Sequence, residues 1–211
     1  MAGVSLRCQA ILRKLVEMRS SILPALLVLM MLLTSKTSEG AHVVALDTAA
    51  LTSQADLVVR GIIVDIQAEA VPEAVTRIHT RATLTVQELF KSQIAGFTAG
   101  MSIDIYTPGG ILGRYGQWSP GAPRFQPGEE VVLFLSRHPH TGRFFVLGLS
   151  QGRYVVDRTL YAEGMTASDH TGLQLMAKSP GGQWGPTVGS TRFSRMTLPE
   201  LRRQIRTVLA E

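Results

Sequence analysis

From Arg77 to Phe90 the chain alternates. Ile78, Thr80, Ala82, Leu84 and Val86 interleave with His79, Arg81, Thr83, Thr85 and Gln87. A period of two puts the first set on the core face of a strand and the second toward water. The run exceeds the usual five or six residues, a length suited to the long, bent strands of small closed barrels. Asp56–Ile66 (DLVVRGIIVDI) is rich in Val and Ile and predicts a strand, but its apolar residues fall on both faces, so strict alternation is lost. Gly61 in its middle marks a bend or bulge. Residues 68–75, with Pro72, read as the connecting turn.

Further along, Met101–Tyr106 alternates again, with Met101, Ile103 and Ile105 on one side. Glu130–Leu135 (EVVLFL) is apolar on both faces and predicts a central strand. Arg143–Leu149 and Gly152–Asp157 predict two shorter strands separated by the Ser150-Gln151-Gly152 break. His42–Leu46 fits either a first edge strand or a linker. Residues 107–128 hold six glycines and four prolines, a long loop that Tyr115, Trp118 and Phe125 can pack down onto the strands. Residues 159–196 are polar and Gly-rich without periodicity, with room for one more hairpin. The tail is helical: Leu198, Leu201, Ile205, Val208 and Leu209 recur at helical spacing, and Thr197-Leu198-Pro199-Glu200 fits a capping box. Arg202, Arg203 and Arg206 sit off that stripe, on a face read as solvated.

The expected architecture is therefore mainly β: a five- to six-stranded, mostly antiparallel OB-like barrel over residues 41–158, a polar excursion over 159–196, and a C-terminal α-helix over 197–211. Residues 1–40 read differently. Ser21–Leu33 is an apolar run too short for a membrane span, preceded by Arg19 and followed by small residues near Ala41, the pattern of a secretory signal peptide. Met18 would begin a more typical signal than Met1. No stable membrane span is expected once such a leader is removed.

Composition sharpens this picture. With 45% hydrophobic and 18% charged residues among 211, the chain is long and apolar enough for a core. The leader holds five basic against two acidic side chains, so of the formal +5 only +2 belongs to residues 41–211. No dense basic stripe remains, and a nucleic-acid partner is not expected. The one cysteine, Cys8, lies in the leader. The exported domain would hold itself together by burial alone, a habit commoner in bacterial exported proteins than in small animal secreted domains.

Three motifs invite chemistry. Gly148-Leu149-Ser150-Gln151-Gly152 matches the G-x-S-x-G nucleophile pattern, which makes Ser150 a candidate nucleophile by its letters, with His170 and Asp157 as conceivable partners. That elbow requires a strand followed by a helix, and here a strand-like run follows instead. Turn or bulge glycines are the better account. Pro108–Gly116 is Gly-rich but lacks the Lys-Ser/Thr of a phosphate-binding loop. As a ligand-facing loop it offers Arg114, Tyr115 and Trp118. His138 and His140 could grip a metal from one side of an extended segment, but no third ligand accompanies them. Glu129 and Glu130 are neighbours on a strand and face opposite ways, so they do not form an acid–base pair. Neither a metal nor a cofactor is expected.

Several segments together resemble a family of uncharacterised exported bacterial proteins. They are Ala55-Asp56-Leu57-Val58-Val59-Arg60-Gly61, the strand ending Glu88-Leu89-Phe90-Lys91, the block from Gly121 to Leu135, Gly148–Tyr154, and the closing Leu201-Arg202 helix. The resemblance covers most of residues 50–158 and the C-terminus, and that family brings no established activity. The first two elements also resemble the start of the netrin-like OB barrel of tissue metalloprotease inhibitors. Those inhibitors chelate the protease zinc through an N-terminal cysteine, and this chain has none near Ala41. That likeness implies architecture only. The functional expectation is a non-enzymatic exported binding or envelope-associated module with an exported or envelope protein as partner. A serine hydrolase using Ser150 and a cysteine-free peptidase inhibitor are the alternatives.

Overall fold

The computed structural model describes residues 41–71, 74–159, 162–169, 173–178, 182–186 and 193–211. The leader, with its two possible starts, lies outside them, as does His170. The fold is mainly β, centred on a mixed sheet of eight strands and closed by a C-terminal helix.

The chain enters through β1 (Ala41–Val44) and a seven-residue helix, α1 (Thr48–Gln54). Asp47 caps α1, its Oδ1 accepting from Ala50 N at 2.7 Å. Next come β2 (Leu57–Val71) and β3 (Ala74–Ser92), a long antiparallel pair. Both run further into the region read as a turn than the sequence suggested. Their register shifts at several points, including between Arg60 and Gly61, where the bulge was expected. A Cβ at position 61 would lie 2.2 Å from Thr85 O, so the glycine is required by the close approach of the two backbones.

Then follow β4 (Ser102–Pro108), the short hairpin β5 (Gly110–Leu112) and β6 (Tyr115–Gln117), β7 (Glu130–Arg137) and β8 (Phe144–Val146). β8 pairs parallel to β4 on one side and antiparallel to β7 on the other. The pairings β7–β2–β3–β4–β8 thus return to β7. A single 3-10 turn (Leu149–Gly152) leads to β9 (Arg153–Asp157), which also pairs with β7.

The sheet has eight strands because residues 159–196 are not a structureless excursion. They contribute β10 (Met165–Asp169) and β13 (Phe193–Thr197), which extend the sheet beyond β9. They also contribute β11 (Leu173–Lys178) and β12 (Trp184–Pro186), which form a small second sheet with β1. The chain ends in α2 (Leu198–Ala210), where Thr197 Oγ1 accepts from Glu200 N.

Two cores explain why β2 and β7 are apolar on both faces. Leu57, Val59 and Ile63 of β2 join Ala82, Leu84, Val86, Ile103, Ile105, Val131, Leu133 and Leu135 on one side. Val58 of β2 with Val132 and Phe134 of β7 face the other way, beneath Leu51 of α1 and Leu198, Leu201 and Ile205 of α2. Burying each such aliphatic side chain contributes roughly 1.5–3 kcal/mol.

A chain of charges fastens α2 to the sheet. Arg202 Nη2 donates to Glu88 Oε2 at 2.7 Å, and Arg60 Nε donates to the same oxygen at 2.9 Å. Arg60 Nη1 reaches Glu130 Oε1 at 2.5 Å, and Arg158 grips both Glu130 oxygens at 2.8 and 2.9 Å. Arg202 is therefore not on a solvated face, as its place off the apolar stripe implied. Burial by itself would raise the Glu88 carboxyl, but Arg202 and Arg60 outweigh it and hold it below its ordinary value. Glu130 is lowered foremost by its hydrogen bond from Arg158, against burial and with help from Arg60.

Candidate functional site

The β5–β6 hairpin is the most exposed apolar feature among the described residues. Its base is locked to β3. Ile78 N donates to Gln117 Oε1 at 2.7 Å, Gly109 N to Ile78 O at 2.8 Å, and Thr80 Oγ1 to Gly109 O at 2.8 Å. Gly110 has φ +143°, and a Cβ there would sit 2.6 Å from Thr80 Oγ1, so glycine lets the hairpin lie this close to β3. Beyond that base every residue from Ile111 to Trp118 is exposed. Ile111 keeps 78% of its surface, Tyr115 63% and Trp118 68%. The expectation that Tyr115 and Trp118 pack the loop down is therefore corrected. Only Phe125 does so, joining the core on the inner face of β2 and β7.

The three residues named from sequence as ligand-facing are all exposed on one loop but form two separate contacts. Arg114 lies over the Tyr115 ring at 5.1 Å and donates to its hydroxyl at 3.0 Å. Trp118 sits one turn of the loop away, beneath the guanidinium of Arg124 at 3.9 Å. Between the hairpin and the following loop runs a cleft of about 490 Å³, lined by Gly109, Ile111, Gln117, Trp118, Arg124 and Phe125 among others, with no acidic residue. Sequence reasoning missed Ile111 and Arg124. Their signal was available in the absence of any Asp or Glu between Asp104 and Glu129, which leaves the arginines of that stretch no local counter-charge.

The G-x-S-x-G stretch does a different job. Gly148 is left-handed at φ +66°, with Leu46 Cδ1 2.9 Å from where a Cβ would be. A Cβ at Gly152 would meet Leu147 O at 2.4 Å and Phe134 O at 3.1 Å. Between them Gln151 is almost wholly buried, at 1% exposure. Its Oε1 accepts from Leu46 N at 2.9 Å, and its Nε2 donates to Val44 O at 3.0 Å and Gly148 O at 3.1 Å. The motif is thus a clamp on the segment that follows β1. Ser150 occupies the 3-10 turn, with its Oγ buried and without a hydrogen-bond partner among the described residues. A serine nucleophile needs a base within hydrogen-bond reach. Of the partners considered, exposed Asp157 accepts from both N and Oγ1 of Thr159, at 2.8 and 2.6 Å.

His138 and His140 lie on an exposed turn with ring centroids 5.8 Å apart. His138 Nδ1 accepts from Thr141 N at 3.3 Å, and among the described residues no group of three or more metal-ligating side chains occurs. Glu129 and Glu130 diverge as expected: Glu129 pairs with Arg153, and Glu130 with Arg60 and Arg158. Among the described residues no helix is long and apolar enough to cross a membrane. No protein-family model matches the chain, and no curated protein matches it.

Proposed function

We propose that the chain is an exported bacterial binding module of the envelope, a member of the uncharacterised exported family it resembles, built on an OB-like barrel that presents the β5–β6 hairpin as its contact surface. The observation that carries the binding reading is the display of Ile111, Leu112 and Tyr115 on the two strands of one hairpin, with Trp118 directly after it, and a base pinned to β3. Large apolar side chains gathered at one exposed place mark interaction surfaces, whereas singly scattered ones do not. The barrel reading is supported by the return of the pairings to β7 through β8, by the single parallel contact of β4 with β8, and by the enclosed core between them. Fold alone assigns no function; the exposed hairpin surface supports this one. A non-enzymatic role is supported by the structural use of the G-x-S-x-G residues.

The test is retention of envelope components by the immobilised protein. Tyr115→Ala/Trp118→Ala is expected to reduce retention at least tenfold, because each ring offers over 1.5 kcal/mol of burial to a partner. Its thermal transition should stay within about 0.5 kcal/mol of the parent, because both side chains are exposed. Unchanged retention refutes the surface. Labelling by a fluorophosphonate probe that Ser150→Ala abolishes refutes the non-enzymatic reading.

A further inference from the structure

We infer that the β5–β6 hairpin is an anchor for an anionic bilayer surface. Ile111, Leu112, Tyr115 and Trp118 enter the headgroup layer, and Arg114 and Arg124 meet the lipid phosphates. The inference rests on the reading of the hairpin as the binding surface and names what it binds.

Four observations carry it. First, the tip projects: Ile111 to Trp118 are all exposed, and nothing lies within 4 Å of a Cβ built at Gly113. Second, the side chains suit the boundary between water and hydrocarbon. Trp and Tyr concentrate at that depth because they join an apolar body to a polar tip, and Ile and Leu reach further in.

Third, the backbone of the tip is partly paired. Gly110 pairs with Gln117, Ile111 with Gly116 and Leu112 with Tyr115, so the inward-facing groups of each strand are satisfied and only the outward-facing ones need the hydrated headgroup layer. Gln117, the one amide side chain of the hairpin, is already used on Ile78 N.

Fourth, the charge is complementary to anionic lipid. Between Asp104 and Glu129 the chain has two charged side chains, Arg114 and Arg124, both basic. Neither makes an ion pair among the described residues, a state they share with Arg137, Arg143 and Arg206. Both guanidiniums lie against the rings that would enter the interface, as cations held at headgroup level do. A protein partner is the other outcome of the test below.

The two tryptophans, Trp118 and Trp184, make the test direct. In the full chain, Trp184→Phe leaves Trp118 as the sole reporter. Trp184 is 57% exposed, so its replacement spares the core. The apolar Ser21–Leu33 run has no tryptophan, so its own attachment to a vesicle does not report as Trp118 entering one. Vesicles of phosphatidylglycerol with phosphatidylcholine should shift Trp118 emission to the blue, and brominated acyl chains should quench it. Arg114→Gln/Arg124→Gln should weaken the response about 30-fold, and added salt should weaken it further. As a second measure in the parent background, Ile111→Asp should remove the hairpin-dependent part of vesicle co-sedimentation.

The inference is overturned if Trp118 emission does not change with vesicles, or if it responds equally to pure phosphatidylcholine and ignores the arginine substitutions. If the vesicles fail while Tyr115→Ala/Trp118→Ala still abolishes retention of an envelope protein, the anchor falls and the binding module stands. If neither experiment responds, both fall.

Discussion

Gln151 and its neighbour Ser150 separate a structural from a chemical use of the G-x-S-x-G stretch. Gln151→Met keeps the side-chain volume and removes three hydrogen bonds, to Leu46 N, Val44 O and Gly148 O. Each contributes about 1 kcal/mol net, and an amide or carbonyl left unpaired adds to the loss where it is buried. Val44 is 52% exposed and its carbonyl can recruit water, so the whole comes to about 3 kcal/mol. For a domain of this size that is a fall of roughly 6–12 °C in Tm. Ser150→Ala should act in the opposite direction. The hydroxyl it removes is buried and unpartnered, so its loss should be neutral or stabilising by about 1 kcal/mol. Thermal and urea unfolding followed by circular dichroism measures both. The clamp is refuted if Gln151→Met unfolds within 0.5 kcal/mol of the parent, where a surface change would fall. A loss above about 1 kcal/mol in Ser150→Ala would show that its hydroxyl has a partner after all.

Two further outcomes follow from the packing. Gly152→Ala drives a methyl group into Leu147 O and Phe134 O, both backbone atoms, and should cost about 2 kcal/mol or more in a urea titration; a neutral result would mean that the β7 backbone can give way there. Acid should loosen α2. The Glu88 and Glu130 carboxyls are held below their ordinary value of 4.5, so their contribution is complete above that pH and is lost as pH falls through the lowered folded values. Urea midpoints recorded from pH 6 to pH 3 should fall for the parent. Glu88→Gln should be less stable at pH 7 by about 1–2 kcal/mol and show a shallower acid decline. Equal slopes would remove Glu88 from the account.

How much of this was readable in the chain depended on whether burial was apolar. β3 announced itself because Ile78, Ala82, Leu84 and Val86 are both buried and hydrophobic. β2 loses strict alternation and β7 reads as central because both are apolar on both faces, and the second face of each lies under α1 and α2. β10 escaped because its fully buried positions are Thr166 and Ser168. Thr166 Oγ1 donates to Met196 O, and Ser168 Oγ to Ser150 O, so their polarity is satisfied internally and no hydrophobic period betrays the strand. α1 escaped because seven residues show too little stripe, leaving only the Asp47 cap as a sign. The Arg202–Glu88–Arg60–Glu130–Arg158 chain joins residues up to 114 positions apart, which local pattern cannot register. In the site, glycines and aromatics located the loop. What they did not convey was its orientation, because a ring can fill a core or face water, and Phe125 and Trp118 in the same loop do one each.

That divergence bears on function more than any motif does. Several residues that look chemical in this chain have a structural use: Gln151 ties down the segment after β1, Gly148 and Gly152 admit neighbouring backbone, and the neighbouring glutamates hold arginines. Ile111, Tyr115 and Trp118 have no such internal account. Deleting their side chains removes almost nothing from either core, while keeping them exposes apolar surface that favours association. Neither core of the described residues accounts for them, which is why we propose them as a binding surface. The substitutions with the least effect on stability should then have the greatest effect on binding. The clamp substitutions should lower stability and leave binding intact in whatever fraction stays folded. A protein in which both sets of substitutions weakened binding in proportion to lost stability would have no separate surface, and the hairpin would be one more part of the fold.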